Sequence, residues 1–213
     1  MKLSLYLSLL FLFCTGGAWA QDARLSISDN AGSRYSVSQR SNDRNDYLHI
    51  SKTDINGNPF WEADYDTYIN LKPISLAQTS RGIVILAAND ANGGRSFSLI
   101  NYSAQNFVIW DSPGDTPETV PVFVMTDEAG NIYVCGNTKA AGHYKAGLWK
   151  FNSAGTMLWH SEYEALGNAY AHQLQILFDG NISLGVTVFV GSSNYGQYER
   201  RAITYDIYGR QFN

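Results

Sequence analysis

The sequence has few charged residues and almost no cysteine. Asp, Glu, Lys and Arg make up 16% of its 213 residues, and the two cysteines are Cys14 and Cys135. The 15 basic residues are outnumbered by 19 acidic ones, so we expect no nucleic-acid partner. Hydrophobic residues nevertheless reach 45% and aromatic residues 14%. This composition excludes a disordered chain and predicts a folded one with a sizeable core.

The first 20 residues have the pattern of a secretory signal peptide. Lys2 precedes an apolar run over 3–13, and small residues, Ala18 and Ala20, stand at the third-last and last positions. The run is shorter than the roughly 20 residues that a transmembrane helix needs. We therefore predict cleavage before Gln21 and no transmembrane segment in the mature chain. We also predict export to the periplasm, the cell surface or the exterior.

Cleavage at that point would remove Cys14 and leave Cys135 as the single cysteine of the mature chain. An intramolecular disulfide is then impossible, and stability must come from burial of apolar surface. Cys135 lies within the apolar run 132–135, which predicts a buried, unreactive thiol.

Two motifs recur in register along the chain. The first is a turn followed by an apolar strand; its glycines are Gly32, Gly82, Gly130 and Gly180, spaced 48 to 50 residues apart. We expect these glycines to supply the left-handed backbone position of tight hairpin turns. A second motif, described next, recurs in register with this one, and two motifs that recur together indicate a repeat protein.

The second motif is an apolar strand, a turn and a tryptophan four residues past the centre of the turn. The tryptophans are Trp61, Trp110 and Trp159, spaced by 49 residues. Asn106 replaces the turn glycine in the second copy, and Asn213 stands where the fourth tryptophan would be. Repetition in register predicts that these indoles pack between repeats.

Each unit contains four short segments rich in β-branched and aromatic residues, separated by Asn, Asp and Gly. The sequence therefore predicts an all-β fold: a β-propeller-like array of four four-stranded antiparallel blades of about 50 residues, the last one abbreviated. A parallel β-solenoid is the alternative. The signal peptide occupies 1–20, and the predicted four-repeat domain covers 21–213. Its approximate repeats are 23–66, 73–115, 121–163 and 169–213.

The third unit carries two characteristic segments, 127–136 and 148–159. The first reads Asp-x-x-Gly-Asn-x-Tyr-Val-x-Gly, and the second reads Leu-Trp-Lys-Phe-Asn-x-x-Gly-x-x-x-Trp. Together they resemble the bacterial β-propeller repeats of the SBBP type. The Gly-x-x-x-Trp ending is similar to the tryptophan docking motif of PQQ-type propellers. The resemblance implies a propeller fold and an exported or surface setting, and it implies no particular activity.

We expect no cofactor and no metal. Four repeats and one mature cysteine depart from the pattern of quinone-dependent enzymes. The segment 54–58 resembles the start of a calcium loop, but Tyr65 stands where the bidentate glutamate is required. The histidines occur singly, with no metal-ligand or catalytic-triad spacing. They are His49, His143, His160 and His172.

In a propeller, the two hairpin turns of each blade share one face, and the remaining connections share the other. The connections on that second face vary in length and are rich in tyrosine, which is typical of adaptable recognition surfaces. The ligand-binding residues that we predict there are Arg95, His143, Tyr144, Tyr195, Tyr198 and Arg200. Connections between blades add Tyr65, Tyr68, Asp115, Glu118, Tyr163 and Tyr170.

Three functional hypotheses follow. The sequence favours an exported, non-catalytic binding or protein-interaction module whose variable loop face recognises a protein or a glycan. One alternative is a structural or assembly component whose incomplete propeller closes by oligomerisation, as a homo-oligomer. The other alternative is a glycan-active hydrolase. It would use a pair of loop carboxylates, such as those of Asp46, Asp115 and Glu118, held at the distance that glycoside hydrolysis requires.

Overall fold

The computed structural model describes residues 24–89, 96–113, 118–140, 142–191 and 196–212. These residues form strands, turns and connections, with no helix among them. The described part of the chain therefore contains no helix that would cross a membrane.

The strands form four antiparallel sheets, each of four strands that pair in chain order. The first blade contains β1 (Leu25–Ser28), β2 (Arg34–Ser41), β3 (Asp46–Thr53) and β4 (Pro59–Tyr65). The second contains β5 (Leu71–Thr79), β6 (Gly82–Asn89), β7 (Ser96–Ser103) and β8 (Val108–Pro113). The third contains β9 (Thr119–Thr126), β10 (Ile132–Ala140), β11 (His143–Phe151) and β12 (Met157–Tyr163). The fourth contains β13 (Ala169–Ile176), β14 (Ile182–Val190), β15 (Gln197–Tyr205) and β16 (Gln211–Phe212).

This arrangement confirms the predicted all-β, propeller-like array of four blades. The two residues of β16 make the last blade the abbreviated one, as expected. Strand order places the turns within the first and last strand pairs of every blade on one side, which we call the short-turn face. The connections between middle strands and between blades lie on the opposite side, which we call the loop face.

Most turns on the short-turn face share one geometry, a three-residue loop that ends in a left-handed residue. Gly155 has a φ of 80° in the turn that Asn152 begins, and the Asn152 side chain accepts backbone hydrogen bonds from Ala154 and Thr156. Asn106 takes the left-handed position in the second blade with a φ of 67°, as predicted.

The prediction for Gly82 is wrong in detail. Gly32, Gly130 and Gly180 have φ values of 80° to 83°, whereas Gly82 has a φ of 157° and pairs directly with Thr79. The second blade thus uses a two-residue turn and is one residue shorter here. Gly82 still excludes a side chain, because a Cβ would lie 2.1 Å from the carbonyl oxygen of Tyr102.

Three buried apolar clusters join consecutive blades. One lies between the first and second blades and contains Tyr35 and Ile85. Val84 and Val134 belong to a cluster between the second and third blades. Leu184 belongs to the cluster between the third and fourth. Among the described residues, no buried cluster joins the fourth blade to the first.

The two end blades are apolar on one face only. In β6 of the second blade, residues 83–87 are buried on both faces, as are residues 132–136 of β10. In β14 the side chains alternate, so that Leu184 packs inward while Ser183 and Thr187 point away from the third blade. Polar outward faces of this kind are typical of the capping repeats of an array.

The repeated tryptophans pack between blades, as predicted. Each indole Nε1–H donates to a backbone carbonyl in a turn of the next blade, at 3.0 Å in all three cases. Trp61 donates to Ala104, Trp110 to Ser153 and Trp159 to Ile207.

Cys135 is buried, as expected, in the third blade. Burial raises the pKa of its thiol to about 12, so the reactive thiolate is strongly disfavoured at neutral pH.

Candidate functional site

The structure describes four of the six residues predicted to bind a ligand. Arg95 and Tyr195 lie outside the described residues, as does Asp115. His143 and Tyr144 begin β11, and Tyr198 and Arg200 lie in β15. All four are therefore at or near the loop face of the third and fourth blades.

Tyr144 and Tyr170 meet across the boundary between these two blades. Their ring centroids are 5.2 Å apart, with the planes inclined by 37°. Asn168 fixes the pair because its side-chain oxygen accepts the backbone N–H of Tyr144 at 2.9 Å. Burial raises the pKa of Tyr170, and the nearby phenols of Tyr198 and Tyr144 raise it further. We call Tyr144, Tyr170 and Tyr198 the tyrosine cluster.

Tyr198 forms the exposed edge of the cluster. Its side chain is 62% exposed, and its ring centroid lies 5.4 Å from that of Phe189, its cross-strand partner. Arg200 lies two residues along the same face of β15, opposite Thr187. The cluster thus continues into the polar outward face of the fourth blade.

The His172 ring lies on that outward face, beside Gly185. Burial lowers its pKa, and the positive charge of Arg200 lowers it further. His143 is exposed at the start of β11, and no contact with the tyrosines is found for it in the described part of the chain. Of the predicted residues, Tyr144 and Tyr198 therefore both lie near Tyr170, and Arg200 lies on the same face of β15 as Tyr198.

Ion pairs lie on the same strands as the tyrosine cluster. Lys145, next to Tyr144, lies 3.4 Å from Glu162 and 3.3 Å from Glu164. On the fourth blade, Arg201 donates to Glu199 at 3.0 Å and to the phenol oxygen of Tyr163 at 3.3 Å.

A separate cavity of about 360 Å³ opens on the loop face near the start of β5. Its wall includes Gln39 and Asp46 of the first blade, Lys72 and Asn89 of the second and Thr119 of the third. Asp46 was among the carboxylates predicted from the sequence, whereas the other residues of this wall were not predicted. In the sequence, the only feature that these other residues share is that each lies at the end of a predicted strand, next to a connection of variable length.

Two of the carboxylates considered for hydrolysis, Asp46 and Glu118, lie in the described residues. Asp46 already accepts hydrogen bonds from Gln39 and Ser41, both at 2.6 Å. Glu118 has an exposed side chain and a φ of 59°. In the described part of the chain, no group of three His, Cys, Asp or Glu side chains has a metal-binding arrangement.

No protein-family model matches the sequence, and no curated protein matches it. Several solved structures are similar in fold. A mannose phosphorylase from Leishmania mexicana matches with 8% identity and a TM-score of 0.43, over 85% of this chain and 62% of its own. An apocarotenoid oxygenase from Synechocystis matches with 9% identity and a TM-score of 0.45, over 84% of this chain and 45% of its own.

A glycosyl hydrolase from Bacteroides ovatus matches with 8% identity and a TM-score of 0.41, over 86% of this chain and 64% of its own. The chain thus spans between about half and two thirds of the length of these three proteins. The strand order and blade packing define the class of the protein, a β-propeller-like blade array.

Proposed function

We propose that the protein is a non-catalytic binding module that recognises a carbohydrate through the tyrosine cluster on its loop face. The observation that carries this proposal is the pairing of Tyr144 and Tyr170 from neighbouring blades, with Tyr198 exposed beside them. Tyrosine rings present apolar faces for the C–H surface of a sugar ring, and their hydroxyls hydrogen-bond to its polar edge.

The rigid placement of the tyrosine cluster supports a role in carbohydrate binding. Tyr144 and Tyr170 are strand residues, and Asn168 holds the backbone between their blades at 2.9 Å from the Tyr144 amide nitrogen. A preorganised aromatic surface loses little conformational entropy when a ligand binds.

A glycan array followed by calorimetry tests this function. We expect the protein to bind at least one class of glycan, and Tyr144→Ala and Tyr198→Ala each to weaken that binding by at least about tenfold, the loss expected of an aromatic anchor. Tyr208→Ala is the matched control, because Tyr208 is 69% exposed but lies on the short-turn face. Binding to peptides alone, or glycan binding unchanged in both cluster variants, would contradict the proposal.

An assembly role is the second candidate, and the edge of the fourth blade favours it. β15 spans Gln197–Tyr205, but only Thr204 and Tyr205 pair with β16. The rest of that edge has no pairing strand among the described residues. Against this candidate, Glu199 and Arg201 form an ion pair on that edge, and charged edges resist strand addition. The molar mass in solution separates the two candidates.

Export is part of the proposal, because segment 1–20 has the pattern of a signal peptide. We expect N-terminal sequencing of the mature protein to begin at Gln21; a mature protein that starts at Met1 would contradict export. We also propose a relationship to SBBP-type repeat propellers, which the indole contacts at Ala104, Ser153 and Ile207 support.

A further inference from the structure

A row of three side chains recurs on the face that each blade turns towards the next one. In the first and third blades the row joins a tyrosine, a lysine and a tryptophan on neighbouring strands: Tyr35–Lys52–Trp61 and Tyr133–Lys150–Trp159. The lysine ammonium lies over the tyrosine ring, 4.8 Å from its centroid in the first blade and 5.0 Å in the third. In the second blade the corresponding row is Val84–Asn101–Trp110.

The row of the second blade borders a cleft beside Trp110. Valine and asparagine are smaller than tyrosine and lysine, and a space of about 370 Å³ lies between the second and third blades at this row. We call it the Trp110 cleft. It opens on the short-turn face, and its wall includes Thr79, Arg81, Asn101, Ile109, Trp110 and Ser153. Its volume lies at the small end of the range for ligand pockets.

The turn beside this cleft carries a positive charge without a partner. The first turns of the first and third blades begin with Asp29 and Asp127, whereas residues 79–81 of the second blade read Thr-Ser-Arg. Lys52 lies 3.5 Å from Asp29, but Arg81 forms no ion pair in the part of the chain that the structure describes. Arg81 is exposed, so its guanidinium is accessible to a ligand. A guanidinium binds a carboxylate through two parallel hydrogen bonds.

The acidic side chains of the third blade lie outside the cleft. Asp127 and Glu128 line an adjoining hollow, where Asp127 accepts hydrogen bonds from Asn131 at 2.7 Å and from the Tyr133 phenol at 3.1 Å. Among the described residues that line the Trp110 cleft, Arg81 is the only charged one. The charge of the cleft therefore favours an anion.

The rest of the wall supplies apolar surface. Ile109 and Trp110 are partly exposed, and both line the cleft. The indole is held in place because its Nε1–H donates to the carbonyl of Ser153 at 3.0 Å. A fixed indole beside an isoleucine offers contact area to a flat apolar ring at little cost in side-chain entropy.

We propose that the Trp110 cleft binds a small carboxylic acid with a flat apolar ring, of the size of benzoate. The exposed guanidinium of Arg81 holds the carboxylate, and the ring lies against Trp110 and Ile109. This site is on the short-turn face, whereas the tyrosine cluster is on the loop face. It goes beyond the proposed function and does not depend on it.

Amide chemical shifts measured during titration with benzoate, cinnamate and indole-3-acetate test the site. We expect at least one of these acids to shift the amides of 79–82, 109–110 and 153–155. Benzamide and acetate are the control ligands, because one keeps the ring without the charge and the other keeps the charge without the ring. Both should bind at least about tenfold more weakly than the best of the three acids, since each lacks one of the two contacts.

The chain offers a matched pair of variants for the charge. Arg81→Gln should weaken binding of that acid by about tenfold or more, the effect of a lost hydrogen bond between charged groups. Arg40 is also exposed, but it lies on β2 of the first blade and does not line the cleft. Arg40→Gln removes the same charge and should leave binding unchanged. Tyr144→Ala should also leave it unchanged, which separates this site from the tyrosine cluster.

Four results would overturn the proposal. One is the absence of any shift at these amides with all three acids. Another is binding of benzamide or acetate as tight as that of the acids. A third is binding by Arg81→Gln with the affinity of the unmodified protein. The last is an equal loss in Arg81→Gln and Arg40→Gln, which would assign the effect to the net charge of the protein rather than to the cleft.

Discussion

Trp110 of the second blade packs directly on Gly155 of the third. The indole Nε1–H donates to the carbonyl of Ser153 at 3.0 Å, and a Cβ added at Gly155 would lie 2.6 Å from the indole ring. Trp159 repeats this relationship with Gly209, where a Cβ would lie 2.7 Å from the ring. A glycine at this position therefore permits both the left-handed conformation of the turn and the close approach of the indole from the preceding blade.

The substitution Gly155→Ala should destabilise the protein by about 3 kcal/mol or more. The left-handed conformation alone costs an alanine roughly 1–2 kcal/mol, and overlap with the Trp110 ring adds the cost of displacing the indole. Chemical denaturation measures the free energy of unfolding.

Gly57→Ala is the matched control for that substitution. Gly57 has a φ of 88° in the corresponding turn of the first blade, but no atom lies within 4 Å of the position of its Cβ. We expect a loss of only about 1–2 kcal/mol, from backbone strain alone. Equal losses in the two variants would show that the Trp110 contact contributes nothing to stability.

The end blades should tolerate changes on their outward faces that inner blades do not. Val84 of β6 and Ser183 of β14 occupy corresponding positions, both facing away from the preceding blade. Val84 is fully buried against the third blade, so Val84→Ser should cost about 3 kcal/mol through a lost apolar contact and a buried hydroxyl. Ser183→Val should change stability by less than about 0.5 kcal/mol.

Thermal or chemical unfolding of both variants measures this difference. A large effect of Ser183→Val in either direction would mean that the outward face of the fourth blade is covered. That result would contradict the capping role that the polar residues of this face indicate.

The stability of the protein should fall in mild acid because of His160. Its ring stacks on Trp149 with centroids 4.6 Å apart and planes inclined by 5°. Burial lowers the pKa of His160, and Glu162, at 3.8 Å, opposes that effect only in part. The unfolded chain therefore binds a proton more readily, with a pKa of about 6.5. Stabilisation is complete above that pH and is lost as pH falls towards the folded pKa.

His160→Phe keeps an aromatic ring on Trp149 but has no proton to bind. We expect the variant to gain stability relative to the unmodified protein as pH falls from about 7.5 to about 5.5. Unfolding free energies across this range measure it, and the paired comparison cancels the contribution of His172. Parallel pH profiles, or a relative loss in the variant, would contradict the assignment.

The repeat pattern predicted the blades because each unit carries its own turn and strand signals. Trp61, Trp110 and Trp159 were predicted to pack between blades, since repetition in register is a packing signal. Their acceptors, such as the carbonyl of Ser153, are not predictable from spacing alone. The choice of acceptor depends on how one blade packs against the next, and no local sequence pattern predicts that packing.

The error at Gly82 arose because spacing between glycines does not distinguish two-residue from three-residue turns. The alternation of polar and apolar residues in β14, with Ser183 and Thr187 between apolar residues, is visible in the sequence. It predicts a solvent-exposed face only once the fourth blade is known to lie at the end of the array.

The candidate site was predicted only in part, for a similar reason. Tyr144 and Tyr198 were predicted from loop composition, but the partner of Tyr144 is Tyr170, which belongs to another connection and another blade. The cavity-lining residues Asn89 and Thr119 are not predictable from the sequence, because a cavity wall forms only in the packed structure.

We propose that this blade array binds its ligand as a single chain and does not close by oligomerisation. Sedimentation equilibrium of the purified mature protein over a range of concentrations tests it most directly. We predict the molar mass of a single chain at every concentration. The outward faces of the first and fourth blades are polar apart from the Phe189–Tyr198 pair, and Glu199 and Arg201 protect the edge of β15. A molar mass of two or more chains that persists on dilution would contradict it.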